Sequence, residues 1–165
     1  MGRLDGEPDR EGLERAAKLA GTLDAAVVLS SPLRRAALTA EAIFPGHAIV
    51  HDERLAERHL GEWQGRAKAE VRAESPDAFT EAGTLDLLRT PPGGESFAEL
   101  SARVGAVLGE IAALSPDARV AVVAHNGVLQ AARILLGLTD VRTASRTPVR
   151  FARPELVLVD APALA

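Results

Sequence analysis

The chain has 165 residues, 47% hydrophobic and 25% charged, which suits one globular domain with its own core over residues 1–165. A formal net charge of −4 excludes the broad basic field of a nucleic-acid binder, and the absence of cysteine excludes disulfides, thiolate chemistry and Cys-ligated metal. No apolar run approaches the roughly 20 residues of a membrane span, and the polar start "MGRLDGEPDREG" does not read as a secretion signal, so a cytoplasmic protein without a membrane partner is expected.

In chain order, Leu13, Ala16, Ala17, Ala20 and Leu23 recur at helical spacing and predict an amphipathic helix entered from Asp9. "AAVVLSS" is a short, β-branched run that predicts a buried strand. Ser31 then reads as an N-cap with Pro32 at the first helical position, followed by a helix burying Leu33, Ala36, Ala37, Ala40 and Ile43. "HAIVHD" is a weaker strand. From Arg66 to Pro92 only one helix, Lys68 to Glu74, stands out among loops. Ser96 and Glu99 form a capping box for a long helix whose face carries Phe97, Leu100, Val104, Val107, Leu108, Ile111 and Leu114. "RVAVVAHNG" is the clearest strand, "VLQAARILLGL" a helix closed by Gly137, and "ELVLVDA" a final strand after a loose, Arg-rich connection. Strands alternating with helices predict an α/β layered fold with a mostly parallel sheet, whose ligands bind beyond the carboxyl ends of the strands.

Two strands end in polar residues just before a helix, at Ser30-Ser31-Pro32 and at His125-Asn126-Gly127. Free N–H groups at both helix starts favour an anion, with Asn126 and Gly127 contributing at the second turn. Arg34 or Arg35 could grip the same anion with two parallel bonds. Taken alone, Ser31-Pro32 is better explained by capping. Lys18 and Lys68 are the only lysines, so nearly all positive charge is guanidinium, suited to phosphate or carboxylate; an arginine-rich genome accounts for that equally well. "RLAERHLGEWQG" is dense in charge yet holds the only tryptophan, as a loop folded over a cleft would. There Glu57 is a candidate general acid and Arg58 a candidate phosphate ligand, although an exposed ion-pair cluster fits the same composition. His51, His59 and His125 lack metal-ligand spacing, so no metal is expected.

Four stretches, "LSSPLRRAALTAEAIF", "DERLAERHLGEWQG", "PPGGESFAELSARV" and "VVAHNGVLQAARILLGL", resemble in order and spacing the histidine phosphatase superfamily, the phosphoglycerate mutase-like proteins. The resemblance implies a three-layer α/β/α sandwich and a phosphomonoester site needing no cofactor. It assigns phosphate binding to Arg35, leaves Arg34 at a variable position, makes Glu57 the acid that protonates the leaving group, and gives His125 the stabilisation of the transferring phosphoryl group. The family's first strand ends in Arg-His-Gly, whose histidine is the nucleophile. No Arg-His-Gly occurs here, and none of His47, His51, His59 and His125 matches that role. "GRLDG" resembles the loop after that strand, so the chain reads as lacking it, with an edge left open beside the strand bearing His125 or filled by exchange between the protomers of a homodimer. Three readings follow: a phosphomonoester phosphatase acting on a small phosphorylated substrate, a noncatalytic or repurposed member that binds phosphate or another anion, and a scaffold.

Overall fold

A computed structural model describes residues 2–114 and 117–147. Three parallel strands form its sheet, β1 (Val27–Ser30), β2 (Ile49–His51) and β3 (Val120–Val123), in the order β2-β1-β3. The register pairs Val28 with Ile49 on one side of β1 and with Ala121 on the other. Because successive strand side chains point to opposite faces, Val28 packs with Ala121 and Val123 on one face, and Leu29 with Val122 on the other.

Each face is covered by helices, which makes the three layers. On the first lie α1 (Arg10–Ala17) and α2 (Arg34–Ile43), which bury Ala16, Ile43 and the adjoining Phe44 against the sheet. On the second lie α4 (Phe97–Ala112) and α5 (Asn126–Leu135), whose Leu100, Val104, Val107, Val128 and Ala131 form the larger core with Leu55. A third cluster, Trp63, Val71 and Ala78, sits outside these layers and joins the loop around Trp63 to α3 (Lys68–Glu74).

Helix ends follow local chemistry where the cap is local. Asp9 accepts the Gly12 N–H and starts α1, and Ser96 and Glu99 exchange bonds across the first turn of α4. α1 stops at Ala17, short of the predicted run, and the chain continues in tight turns through Thr22 with Ala17 and Ala20 exposed. α2 also departs from expectation: it begins at Arg34, and its N-cap is Leu33 rather than Ser31. Ser31 Oγ instead accepts the Leu33 N–H, while the Arg34 N–H is taken by the carboxylate of Asp5, 29 residues upstream. Leu114, predicted to face the core, is exposed. A short helix missed in the sequence, α6 (Val141–Arg146), is capped by Asp140 and tied to α5 by Gln130, which donates to the Ala144 and Thr147 carbonyls. The predicted strand over 155–161 lies outside the described residues.

Among the described residues β3 pairs only with β1, and its four residues are half-buried. A cavity of about 1700 Å³ runs along its free side, lined by Leu13, Ala16 and Leu19 from one helical layer and Val104, Val107 and Leu108 from the other.

Leu100 is fully enclosed, so Leu100→Ala leaves a void in the main core. The expected loss, read from urea unfolding, is about 2–5 kcal/mol.

Candidate active site

The site begins with the pairing of β1 and β3. Ser30 lies beside Val123, and the ladder runs one bond further, from the Ser31 N–H to the Val123 carbonyl, at 3.0 Å. Both chains therefore leave the sheet side by side, which brings His125 Nε2 within 2.7 Å of Ser31 Oγ. Both residues are buried, and this bond fixes the imidazole, which lines the cavity. Desolvation, reinforced by the charges of Arg35 and Arg103, pulls the His125 pKa down to about 4, while Asp5 acts in the opposite direction. His125 is thus neutral at pH 7.

α5 starts immediately after His125, and its N-terminus faces Glu57. The Glu57 carboxylate accepts the Gly127 N–H at 3.1 Å and the Arg58 N–H at 2.8 Å. Only glycine permits this approach: a Cβ on residue 127 would stand 2.5 Å from Glu57 Oε1. Burial raises the Glu57 pKa, and the two backbone bonds and the charges of Arg35 and Arg103 limit that rise without cancelling it. A carboxyl held this way can carry a proton closer to neutral pH than a free one, as a general acid requires.

Glu57 is held from behind as well. Its carbonyl accepts from Arg3 Nε at 2.9 Å and Arg103 Nη2 at 3.3 Å. Both arginines also bind Glu95, which Arg103 engages through two nitrogens at 2.6 and 3.0 Å and Arg3 through one at 3.5 Å. Burial would raise the Glu95 pKa, but the Arg103 bond and the His59 N–H outweigh it and hold the carboxyl below its ordinary range. Arg103 further donates to the Arg54 carbonyl.

Arg35, in the first turn of α2, lines the same cavity. Its charge acts on both His125 and Glu57, so the three side chains share one electrostatic site. Nη1 donates to the Leu4 carbonyl at 2.8 Å and Nη2 to the Gly2 carbonyl at 2.7 Å. Arg34 points elsewhere, pairing with Glu7 at 3.0 Å on the exposed side. Asn126, at the first position of α5, is exposed and lines the cavity.

Arg58 departs from its expected role as a phosphate ligand. It is 3% exposed, and its guanidinium donates to the carbonyls of Glu95, Leu87 and Arg89 at 2.8 to 3.0 Å. Those bonds direct it into the protein, where it ties the loop after Asp86 to the loop of Glu57. The same two loops meet again where the Glu62 N–H reaches the Pro92 carbonyl and the Glu95 N–H reaches that of His59. Gly61, at φ +50°, allows this crossing, since a Cβ there would collide with the Pro92 carbonyl. Among the described residues no cluster of His, Asp and Glu is arranged to hold a metal ion.

Sequence reasoning missed Arg3, Asp5, Glu95 and Arg103. Nothing in the spacing of "PPGGESFAELSARV" shows that Glu95 and Arg103 meet each other and the carbonyl of residue 57.

A neutral histidine, a carboxyl with a raised pKa and a guanidinium thus line one cavity of an α/β fold with a parallel sheet. A profile of the histidine phosphatase superfamily (branch 1) matches residues 1–154. The chain belongs to that superfamily. It is 35% identical over 144 residues to a glucosyl-3-phosphoglycerate phosphatase of Mycobacterium tuberculosis, covering 79% of this chain and 64% of that protein. It is 33% identical over 154 residues to a metal-independent phosphoserine phosphatase of Arabidopsis thaliana, covering 88% and 64%. The chain thus spans less than two thirds of the length of these relatives. Among solved structures, the mycobacterial glucosyl-3-phosphoglycerate phosphatase complexed with VO3 matches with a TM-score of 0.79 at 33% identity, over 92% of this chain and 80% of that one. Its complex with inorganic phosphate gives 0.75 at 32% identity, over 90% and 78%. The three-layer architecture is therefore the phosphoglycerate mutase-like one.

Two outcomes are expected. Because the folded pKa of His125 lies below its unfolded value of about 6.5, the unfolded chain binds the extra proton first, and stability falls as pH drops from 6.5 toward 4. Calorimetric melting in that window should show a shallower decline for His125→Asn than for the parent. Gly127→Ala should cost about 1–3 kcal/mol in urea unfolding, because the added methyl forces Glu57 off the α5 N-terminus.

Proposed function

We propose that this chain carries the phosphate-holding and proton-donating groups of a phosphomonoester phosphatase acting on a small phosphorylated substrate. What supports the reading is that Arg35, Glu57 and His125 line one cavity and that the Arg35 charge acts on both of the others, though 90 residues separate the first from the last. Arg35 binds the phosphoryl oxygens. His125, neutral when the site is free, gains affinity for a proton as the anion arrives, since the anion offsets the Arg35 charge that depresses its pKa. Glu57 gives its proton to the departing oxygen. Asn126 lies at the start of α5, where its backbone faces the incoming anion, whereas the Gly127 N–H is already engaged by Glu57. The relatives named above act on phosphate esters of small molecules, which supports that substrate class. The lack of cysteine fits the cytoplasmic setting proposed for the chain.

A second reading is a family member that binds phosphate without turning it over. Among the described residues His125 is the only histidine lining the cavity. Phosphoryl transfer through a phosphohistidine needs a second imidazole in line with the leaving group.

Titration calorimetry with inorganic phosphate and hydrolysis of p-nitrophenyl phosphate separate the two. Both readings require binding that weakens about tenfold or more in Arg35→Ala, as loss of a charge-assisted bidentate contact implies. Turnover that disappears in Glu57→Gln with binding retained establishes the phosphatase. Binding without turnover establishes the second reading, and absence of binding removes both.

A further inference from the structure

The donors that an anion would use at the start of α2 are already engaged by the chain itself. Arg35 gives one nitrogen to the Leu4 carbonyl and the other to that of Gly2. The Arg34 N–H, which an anion at this helix start would also use, donates to Asp5 Oδ2 at 2.9 Å. The other Asp5 oxygen stands 4.0 Å from Arg35 Nη1, and the Asp5 charge is felt at His125. A negatively charged group therefore rests on a helix N-terminus beside Arg35 and His125, the arrangement proposed above for phosphate.

The segment is held at its other side by Arg3. Its N–H donates to Gln64 Oε1 at 2.7 Å, and its guanidinium reaches the Glu57 carbonyl and Glu95. Residues 2–5 thus span from the acid's loop to the phosphate-binding arginine. Helix capping alone does not account for this. A cap needs one oxygen on one N–H, whereas here three successive parts of the segment, two carbonyls and a carboxylate, converge on one guanidinium.

We infer that Asp5, with the Gly2 and Leu4 carbonyls, is a built-in competitor for the anion site, and that it sets the affinity with which a phosphate group reaches Arg35. The inference rests on the anion-site reading of Arg35. A phosphoryl group binds by exchanging places with these acceptors: Arg35 trades two neutral carbonyls for charged oxygens, and Asp5 withdraws. A monoanion gains less from that trade than a dianion, so the segment favours doubly charged phosphate over singly charged ions of similar size.

The test is phosphate titration calorimetry at constant ionic strength on the parent chain, Asp5→Asn, Glu7→Gln and Arg35→Ala. Asparagine keeps an oxygen for the Arg34 N–H, so α2 stays capped while the charge is removed. Glu7→Gln removes an equal charge two residues along, from an exposed carboxylate that pairs with the exposed Arg34. The expected result is phosphate binding about three- to tenfold tighter in Asp5→Asn, as loss of a like charge a few ångströms away implies, and within about twofold of the parent in Glu7→Gln. Unchanged or weaker binding in Asp5→Asn, or an equal gain in Glu7→Gln, overturns the inference and leaves the anion site standing. Phosphate binding that is undiminished in Arg35→Ala, or absent from all four proteins, overturns the anion site and the inference with it.

Discussion

The parallel register between β1 and β3 is the constraint on which the site depends. It extends by one bond past the end of β1 and aligns two strand ends that are 93 positions apart, Ser30 and Val123. The buried bond between Ser31 and His125 closes that alignment. A shift of one residue would turn each inward side chain outward and carry the imidazole away from the cleft. The two helices that follow start side by side for the same reason, and each presents its N-terminus to a carboxylate, α2 to Asp5 and α5 to Glu57. Both carboxylates come from loops remote in sequence. The sheet decides where the helix dipoles point, and the dipoles draw in the acids.

Arginine holds these loops together. Arg3, Arg35, Arg58 and Arg103 all direct nitrogens at backbone carbonyls, of Glu57, of Gly2 and Leu4, of Leu87, Arg89 and Glu95, and of Arg54 and Glu57. A planar fork with five donors can join two or three segments that share no strand pairing, which a lysine ammonium on a flexible stem does less well. Here the loops around Glu57 and Glu95 have no sheet to order them. Guanidinium groups supply the missing cross-links, and Glu95 supplies the compensating charge beside two of them.

The frame was legible in the sequence because its signals are local. β1 and β3 show as short β-branched runs, α4 announces itself by the reciprocal bonds of Ser96 and Glu99, and α5 ends just before Gly137. The positions of Arg35, Glu57 and His125 followed from motif order. Much of what the sequence did not show joins separate loops, often through an atom that every residue possesses. A carbonyl carries no signature, so Arg58 looks like a phosphate ligand until its three acceptors are seen. The start of α2 misleads similarly, since Ser31-Pro32 satisfies every local rule for a cap, yet the oxygen on the Arg34 N–H belongs to Asp5. Helix α6 is six residues long and amid arginines, too short for its period to register, although Asp140 marks its start.

The clasp at Arg58 separates two tasks within one polypeptide. Because this side chain and the crossing at Gly61 join residues 58–62 to 87–95, the excursion between them is closed at its base. That excursion has its own small core around Trp63, Val71 and Ala78, and at its edge Thr84 and Leu87 bond to Ser145. Residues 66 to 86 can therefore be lengthened, shortened or rewritten while Glu57 and Arg35 keep their places. Diversity in the organic half of a ligand then requires no redesign of the chemistry, only a new canopy mounted on an unchanged collar.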